Sequence, residues 1–592
     1  MCGIFALLNY EQKYPKNFVQ TQFNKGKSRG PDHSVLQKVD CKLTFGFHRL
    51  AINGLNAESN QPLEKGNLML ICNGEIYNYK ELYALMATAS LTSTASLTST
   101  EDEPVVPKTQ SDCEVILWLY ERYGIEQTLQ MLDGVFAFVL LDQRFQLGES
   151  TLYVARDPYG VRPLYSIQQI STHPEWLNDE RTIGFASELK VLSGFAENNY
   201  SKYDAEHFPP GTYSKYAYSD NVCSEWRPVS KNVVYHRMAF SSNETASENI
   251  QPILGEIQKR LISAVEKRCS TTERPIACLL SGGLDSSLIT ALVSEYRRKN
   301  GLPPVETYSI GLADSPDLKY ARMVADHLGT NHTEVILEER DFCEAIPRVI
   351  EAIESYDTTT VRASIGNFLL GEYIAAHSDA KVIFNGDGSD ELTGGYLYMK
   401  CAPDAIEFDR ECRRLLTDIH KFDVLRSDKS ISSHGLEPRT PFLDREWTQF
   451  YLSISPVIRR GYSYNPEKYL LRAAFSINNF QSTSGLGALL PDEVLWRKKE
   501  AFSDGVSGES RSLYKILKDY CATKVRFESN CQIRAILFSQ NCPQTSEQLY
   551  YRTIFESHYS GFGGIVTYFW MPKYVAATDA SARTLDLNIE SM

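Results

Sequence analysis

The second residue of the chain is a cysteine, in Met1-Cys2-Gly3-Ile4-Phe5, so removal of the initiator methionine would leave a thiol and a free α-amine on one residue. An α-amine titrates near pH ~8, so at neutral pH a useful fraction is unprotonated and can act as general base for its own side chain, directly or through water. No distant histidine is then needed. A second run with chemical content is Ser281-Gly282-Gly283-Leu284-Asp285-Ser286-Ser287. Its glycines let backbone approach an anion closely, its hydroxyl and amide groups donate to oxygens, and a following helix would present its positive end. Asp285 is a poor phosphate neighbour unless a cation lies between them, which implies magnesium held by this carboxylate and the phosphates. The run lacks the lysine of G-x-x-x-x-G-K-[ST], so pyrophosphate recognition fits better than γ-phosphate transfer of that type.

Two grammars divide the elements that must position these residues. Up to about residue 210 the chain reads as short β-runs between turn signals, at Leu68 to Cys72, Val135 to Leu141 and Thr151 to Ala155, which predicts a layered α+β domain over 1–210. A low-complexity insertion at 87–108 interrupts it, where Ala-Ser-Leu-Thr-Ser-Thr at Ala89 to Thr94 repeats at Ala95 to Thr100. Such a tract buries too little apolar area to offset its ordering entropy, and a mobile surface loop is expected there. Residues 211–249 read as a linker. From 250 to 592 the pattern becomes strand, loop, helix: Ile276 to Leu280, the Gly-rich run, then Ser287 to Tyr296, with further strands at Glu306 to Ile310 and Lys381 to Phe384. Alternating β and α with apolar strands predicts a parallel sheet covered on both faces, with ligands beyond the carboxyl ends of its strands.

The chain has 592 residues, 43% of them hydrophobic and 11% aromatic, which is enough for more than one core. Its formal charge of -13, with no long basic run, argues against nucleic acid as the main partner. Val135 to Leu141 is far shorter than the ~18 apolar residues of a membrane helix, and the N-terminus lacks the regions of a signal peptide, so no membrane association and a cytoplasmic location are expected. The 13 cysteines are odd in number and without a C-x-x-C spacing, which points to neither a disulfide framework nor a structural zinc site.

In this order the two runs resemble a known family. Met1-Cys2-Gly3-Ile4 is similar to the start of class II glutamine amidotransferases, and Ser281 to Ser287 to the pyrophosphate loop of ATP pyrophosphatase-type ligases. Together they resemble the glutamine-hydrolysing asparagine synthetases. The likeness runs through Arg29-Gly30-Pro31-Asp32, His48-Arg49-Leu50, Asn73-Gly74-Glu75-Ile76-Tyr77-Asn78, Ser111-Asp112-Cys113-Glu114 and Arg156-Asp157-Pro158-Tyr159-Gly160-Val161. It continues through Thr358-Thr359-Thr360-Val361-Arg362, Gly388-Ser389-Asp390-Glu391, Glu437-Pro438-Arg439, Glu467-Lys468, Ala501-Phe502-Ser503-Asp504-Gly505, Tyr568-Phe569-Trp570 and Ala580-Ser581-Ala582-Arg583-Thr584-Leu585.

The resemblance implies an N-terminal nucleophile hydrolase αββα sandwich followed by a nucleotide α-hydrolase-like α/β domain with a helical C-terminal part. It also implies ATP as co-substrate, magnesium, glutamine and aspartate as partners, and a possible homodimer. Glutamine presents a carboxylate, an ammonium and a reactive amide: Arg49 suits the first and Asp112 with Glu75 the second, while Asn73 and the Gly74 N–H suit the oxyanion formed when Cys2 attacks. By analogy, backbone groups of Leu50, Ala51, Ile52 and Asn53 line the same pocket. In the second half, Ser281, Gly282, Gly283 and Ser286 are expected at pyrophosphate, Leu280, Ile310, Asn385 and Gly386 at the nucleotide, and Asp285 with Asp390 at magnesium. Thr359, Thr360 and Arg362 would meet phosphate or substrate carboxylate, and Lys468 would stabilise developing phosphoryl charge. Asp387 stands where the family carries a glutamate linked to handling the acyl-adenylate, and Asn385 where serine is common. Because protonated ammonium is not a nucleophile, a closed path for ammonia between the two sites is expected. Two rival readings remain open: amidation of another carboxylate, and a catalytically impaired glutamine- or nucleotide-sensing protein.

Overall fold

The computed structural model describes the chain except residues 41, 93–104, 147–148, 171–180, 197–201, 219–223, 243–249, 462–465, 483–486, 500–504, 509–510, 527–537, 539 and 582–592. Two compact units emerge: Met1–Arg237 with Thr271–Arg274, and Met238–Ser270 with Pro275–Met592. No helix among the described residues is long and apolar enough to cross a membrane.

The first unit carries β1 (Gly3–Leu8), β2 (His33–Asp40), β3 (Leu43–Arg49), β4 (Leu63–Lys65), β5 (Leu68–Ile76), β6 (Gly134–Gln146), β7 (Glu149–Arg156), β8 (Tyr165–Ile170), β9 (Ile183–Ala186), β10 (Lys202–His207), β11 (Thr212–Tyr218) and β12 (Trp226–Val234). They form two six-stranded sheets, ordered β10-β8-β9-β1-β3-β2 and β12-β11-β7-β6-β5-β4. β1 is apolar along its whole length because both its faces are covered. Ile4, Ala6 and Leu8 join Phe45 and Phe47 of β3 and Val139 and Val154 of the second sheet in one buried cluster. Phe5 turns the other way, its ring centroid 6.0 Å from that of Phe23 in the helix Lys16–Asn24. The outer face of the second sheet packs on the helices Tyr79–Thr92 and Val115–Met131 through Leu70, Cys72, Ile76, Ile116 and Leu119. The layers are therefore helix, sheet, sheet, helix, the expected αββα sandwich.

The structure corrects two boundaries. Residues expected in the 211–249 linker form β11 and β12, paired to each other and, through β11, to β7, so the unit runs to Arg237. The signal missed was Trp226, which is 1% exposed and packs between the sheets because the tail of the domain supplies an edge of the second one. The helix Tyr79–Thr92 also reaches into the repeated tract expected to be a loop from Ala89, and the rest of that tract, 93–104, lies outside the described residues.

The second unit is built on β13 (Ile276–Leu279), β14 (Glu306–Gly311), β15 (Asn331–Ile336), β16 (Val382–Phe384) and β17 (Glu437–Arg439). All pairs are parallel, in the order β15-β14-β13-β16-β17. From β13 the chain moves first to β14 on one side and later to β16 on the other. The crevice where that direction reverses lies beyond the carboxyl ends of β13 and β16, the place where open parallel sheets bind ligands. Helices Leu284–Lys299, Pro316–Leu328 and Thr358–His377 are among those that accompany the strands, and among the described residues the regular elements beyond β17 are helical. Trp226→Ala should remove about 3–5 kcal/mol from the stability of the first unit, measured by denaturant titration; a loss below ~1 kcal/mol would show that this tryptophan is not part of the core.

Candidate active sites

In the first unit, Cys2 lies immediately before β1, with its thiol donating to the Leu50 carbonyl at 3.5 Å. Its own carbonyl accepts from Arg29 Nε at 2.7 Å, and Arg29 Nη1 is 3.0 Å from Glu188 Oε1. Arg29 is 1% exposed, so this guanidinium is held by desolvated partners rather than by water. Ser187 completes the anchor: its hydroxyl accepts from Ile4 N at 3.1 Å and from Asn73 Nδ2 at 3.4 Å. The β1 start, the Leu50 loop and Asn73 on β5 are thereby drawn together. Met1 precedes the cysteine and is itself buried. Gly74 follows on β5, where an added Cβ would come within 2.8 Å of the Phe136 Cα, so only glycine permits this approach of β5 to β6.

The remaining residues expected at glutamine surround the same loop, with one departure. Glu75 Oε2 accepts from Asn53 Nδ2 at 2.6 Å, and Asp112 Oδ2 accepts from Ile76 N at 2.6 Å. Ala51 N donates to Asp32 Oδ2 at 2.8 Å. Arg49, expected to meet a carboxylate in bidentate fashion, instead spends both terminal nitrogens on the loop. Nη1 donates to Asn56 O at 2.9 Å and Asn60 Oδ1 at 2.7 Å, and Nη2 donates to Asn53 O at 3.3 Å and to Gly54 O. The guanidinium thus shapes the loop around Asn53 to Asn60. Burial lowers its pKa from the ordinary arginine value, opposed by the neighbouring Cys2 and Asp32. Arg29, Ser187 and Glu188 had no role assigned from sequence; Arg29-Gly30-Pro31-Asp32 was legible as a motif, but a buried arginine on a carbonyl leaves no periodic signature.

In the second unit, a cavity of about 270 Å³ opens at the crevice between β13 and β16. Leu280, Ser281, Gly283, Asp285, Ser286, Ile310, Thr359, Thr360, Arg362, Asn385, Gly386, Asp387, Asp390 and Lys468 all line it. Gly282 does not face it but makes the turn, with φ +71° and the Ala321 N only 2.5 Å from where a Cβ would stand. The loop closes on itself: Ser281 N donates to Ser286 Oγ at 3.2 Å, and the two hydroxyls lie 3.0 Å apart. At its end the helix Leu284–Lys299 begins, with Asp285 in the first turn.

Lys468 Nζ lies 2.6 Å from both Asp285 Oδ2 and Asp390 Oδ1. It sits at φ +59°, a conformation that costs a non-glycine residue of order 1 kcal/mol. Lys499 pairs with Asp390 as well and lies 3.9 Å from Asp285. Burial opposes ionisation of Asp390, yet the two lysines hold its carboxyl well below the usual carboxylate range. Lys499 was not singled out in the sequence, although the run Arg497-Lys498-Lys499 was its only signal. Asp387 Oδ1 accepts from Arg426 Nη2 at 3.2 Å while its Oδ2 is buried without a hydrogen-bond partner, and burial pushes its pKa up. Asn385 is turned to the scaffold, donating from Nδ2 to Ser427 Oγ at 2.7 Å.

Two expectations at phosphate or substrate carboxylate change. Arg362 is fully engaged by two protein carboxylates, with Nε and Nη2 on Glu547 at 2.8 and 2.6 Å and Nη1 and Nη2 on Asp579 at 2.7 and 3.0 Å. Its charge is therefore already balanced, and it clamps the late helix Ser546–His558 and Asp579 to the start of Thr358–His377. Thr360 is likewise committed, donating from N and Oγ1, at 2.8 Å each, to Oδ2 of Asp357, the N-cap of its helix. Thr359 Oγ1 alone of this set is buried with no partner, facing the cavity.

The chain matches the glutamine amidotransferase domain family over residues 1–249 and the asparagine synthase family over 256–407 and 400–571. It is 39% identical to the glutamine-hydrolysing asparagine synthetase of Gallus gallus, over 99% of this chain and 98% of that protein. The corresponding protein of Cricetulus griseus is 38% identical and that of Homo sapiens 37%, each over 99% of this chain and 98% of its own length. With both family domains in this order and relatives matched along nearly the whole chain, the chain belongs to the glutamine-hydrolysing asparagine synthetases.

Proposed function

We propose that this chain makes asparagine from aspartate, ATP and glutamine. In the first unit the Cys2 thiolate attacks the side-chain amide carbon of glutamine; a thioester forms, ammonia leaves, and water releases glutamate. The α-amine exposed by loss of Met1 accepts the thiol proton and passes it to the departing nitrogen. Asn73 and the Gly74 N–H stabilise the oxyanion, and Asp112 and Glu75 hold the substrate ammonium. In the second unit a β-carboxylate oxygen of aspartate attacks the α-phosphorus of ATP and pyrophosphate departs. Ammonia then attacks the acyl carbon of β-aspartyl-AMP and AMP departs with the carboxylate oxygen.

The observation that carries this reading is the cavity at the β13–β16 crevice, where a hydroxyl- and glycine-lined loop, two lysines and two carboxylates meet. Lys468 and Lys499 supply positive charge where a pyrophosphate leaves. Magnesium suits the same place. Asp285 Oδ1 is buried with no hydrogen-bond partner, and two carboxylates with substrate phosphates would make a hard oxygen set of the kind this ion prefers. When bound, magnesium would neutralise phosphate charge as the α–β bond breaks. A cytoplasmic location and a homodimer belong to the same proposal through the family.

Purified protein given glutamine, ATP, magnesium and a panel of acids should release AMP and an amide only with aspartate, and Cys2→Ala should abolish glutamine-dependent synthesis while ammonium still supports it. An amide formed from another acid, or from glutamine in the Cys2→Ala enzyme, would overturn the assignment.

Gly395 offers a test of the lysine pair. A Cβ there would overlap Lys468 Cε and Asp390 Oδ1 and stand 2.9 Å from Lys468 Nζ. Gly395→Ala should lower the rate of AMP formation at least tenfold by displacing Lys468, with glutamine hydrolysis changed less than twofold; equal losses in both would show general unfolding instead.

A further inference from the structure

The segment Thr271–Arg274 lies in sequence between the helix Gln251–Ser270 and β13, both in the second unit, yet it packs as part of the first. It does so by running along the loop Ala51–Gly54. Glu273 N donates to Ile52 O at 3.0 Å, and Arg274 Nε donates to Ala51 O at 2.8 Å. Asn53 Nδ2 donates to Thr271 O at 3.1 Å, and Gly54 N donates to Glu273 Oε1 at 2.7 Å. Four consecutive loop residues are thus each held by this one strip. Asp32 completes the grip, accepting from Ala51 N at 2.8 Å and standing 3.8 Å from Arg274 Nη2.

We propose that Glu273 and Arg274 are positioning residues for glutamine, an inference that rests on the glutaminase reading above. The loop they hold carries Leu50, whose carbonyl accepts from the Cys2 thiol, and Asn53, whose amide holds the Glu75 carboxylate at 2.6 Å. Arg49 cannot define this loop alone. It grips the carbonyls of Asn53, Gly54 and Asn56 from one side, and the strip 271–274 ties down the carbonyls of Ala51 and Ile52. Gly54, at φ +59°, turns the chain sharply between the two grips, and its N–H is fixed by the Glu273 carboxylate. Without that carboxylate the turn is free to relax, and the groups that would bind the α-carboxylate and α-ammonium of glutamine lose their common frame. Both residues hold the loop Ala51–Gly54, so binding rather than chemistry is what they set.

Steady-state glutaminase kinetics on the full-length protein test this. Glu273→Ala should raise KM for glutamine about tenfold, the size of a lost hydrogen bond to a charged acceptor, with kcat changed less than threefold. Glu273→Gln keeps an acceptor for Gly54 N and should return KM to within about twofold of the parent, and ammonium-dependent AMP formation should be the same in all three. Arg274→Lys keeps the charge but moves the donor off Ala51 O, and should raise KM severalfold even if Glu273→Ala proves insoluble. An unchanged KM in either Glu273→Ala or Arg274→Lys, a glutamine variant as impaired as alanine, or a parallel fall in ammonium-dependent activity would overturn the inference. A parent protein that releases no glutamate would instead sink the glutaminase reading itself.

Discussion

An ammonium buried in a protein must be paired, because leaving one desolvated and alone costs several kcal/mol. Lys468, 1% exposed, meets that requirement with two carboxylates at equal distance, and much of the second unit's active end follows from it. Asp285 comes from the first turn of the helix after β13, Asp390 from the short helix Ser389–Thr393 after β16, and Lys468 from a left-handed residue opening Tyr469–Ala474. Glu467, next to it, pairs with Arg472 at 2.6 Å and accepts from Lys499 N at 2.9 Å, which sets the second lysine against the same acids. Two positive and two negative groups balance each other at the mouth of the Ser281–Ser287 loop. An incoming anion that brings its own cation can exchange partners within this set without leaving a bare charge.

The first unit solves a related problem with arginines. Arg29 neutralises Glu188 and fixes the Cys2 carbonyl, which holds the residue whose thiol donates to Leu50 O. Arg49 holds its loop through carbonyls, and Arg156 does the same deeper down, donating to the carbonyls of Arg162, Phe208 and Gly160 at 2.7–2.9 Å. Five donors in a rigid plane make arginine suited to gathering loop carbonyls as well as carboxylates. That dual use is why Arg362, read as a phosphate partner, proves to be a clamp between Glu547 and Asp579.

The local signals were strong wherever period and turn chemistry agree. The apolar runs at Leu68, Val135, Thr151, Ile276 and Glu306 all became strands, the Gly-rich run became the turn into Leu284–Lys299, and thirteen of the residues expected around the nucleotide and its acid partner came to one cavity together with Lys468. The misreading of 211–249 has a simple cause: β11 mixes Tyr with Ser and Lys and the exposed side of β12 is polar, so neither stands out from a linker, although Tyr216, Tyr218 and Trp226 turn inward between the sheets.

What the sequence by itself determined is the inventory of chemistry: a thiol at position two, a glycine-serine loop with an acid inside it, and the two strand grammars that carry them. These are properties of neighbouring residues, set by backbone sterics and short-range pairing. Tertiary structure alone decided which distant charges balance which, because burial makes an ion choose a partner and the partners of Lys499, Lys468 and Arg362 include ones 109 to 217 residues away. So it decided that Lys499 joins Lys468, that Arg362 is spent on the scaffold, and that four residues before β13 return to brace the loop Ala51–Gly54.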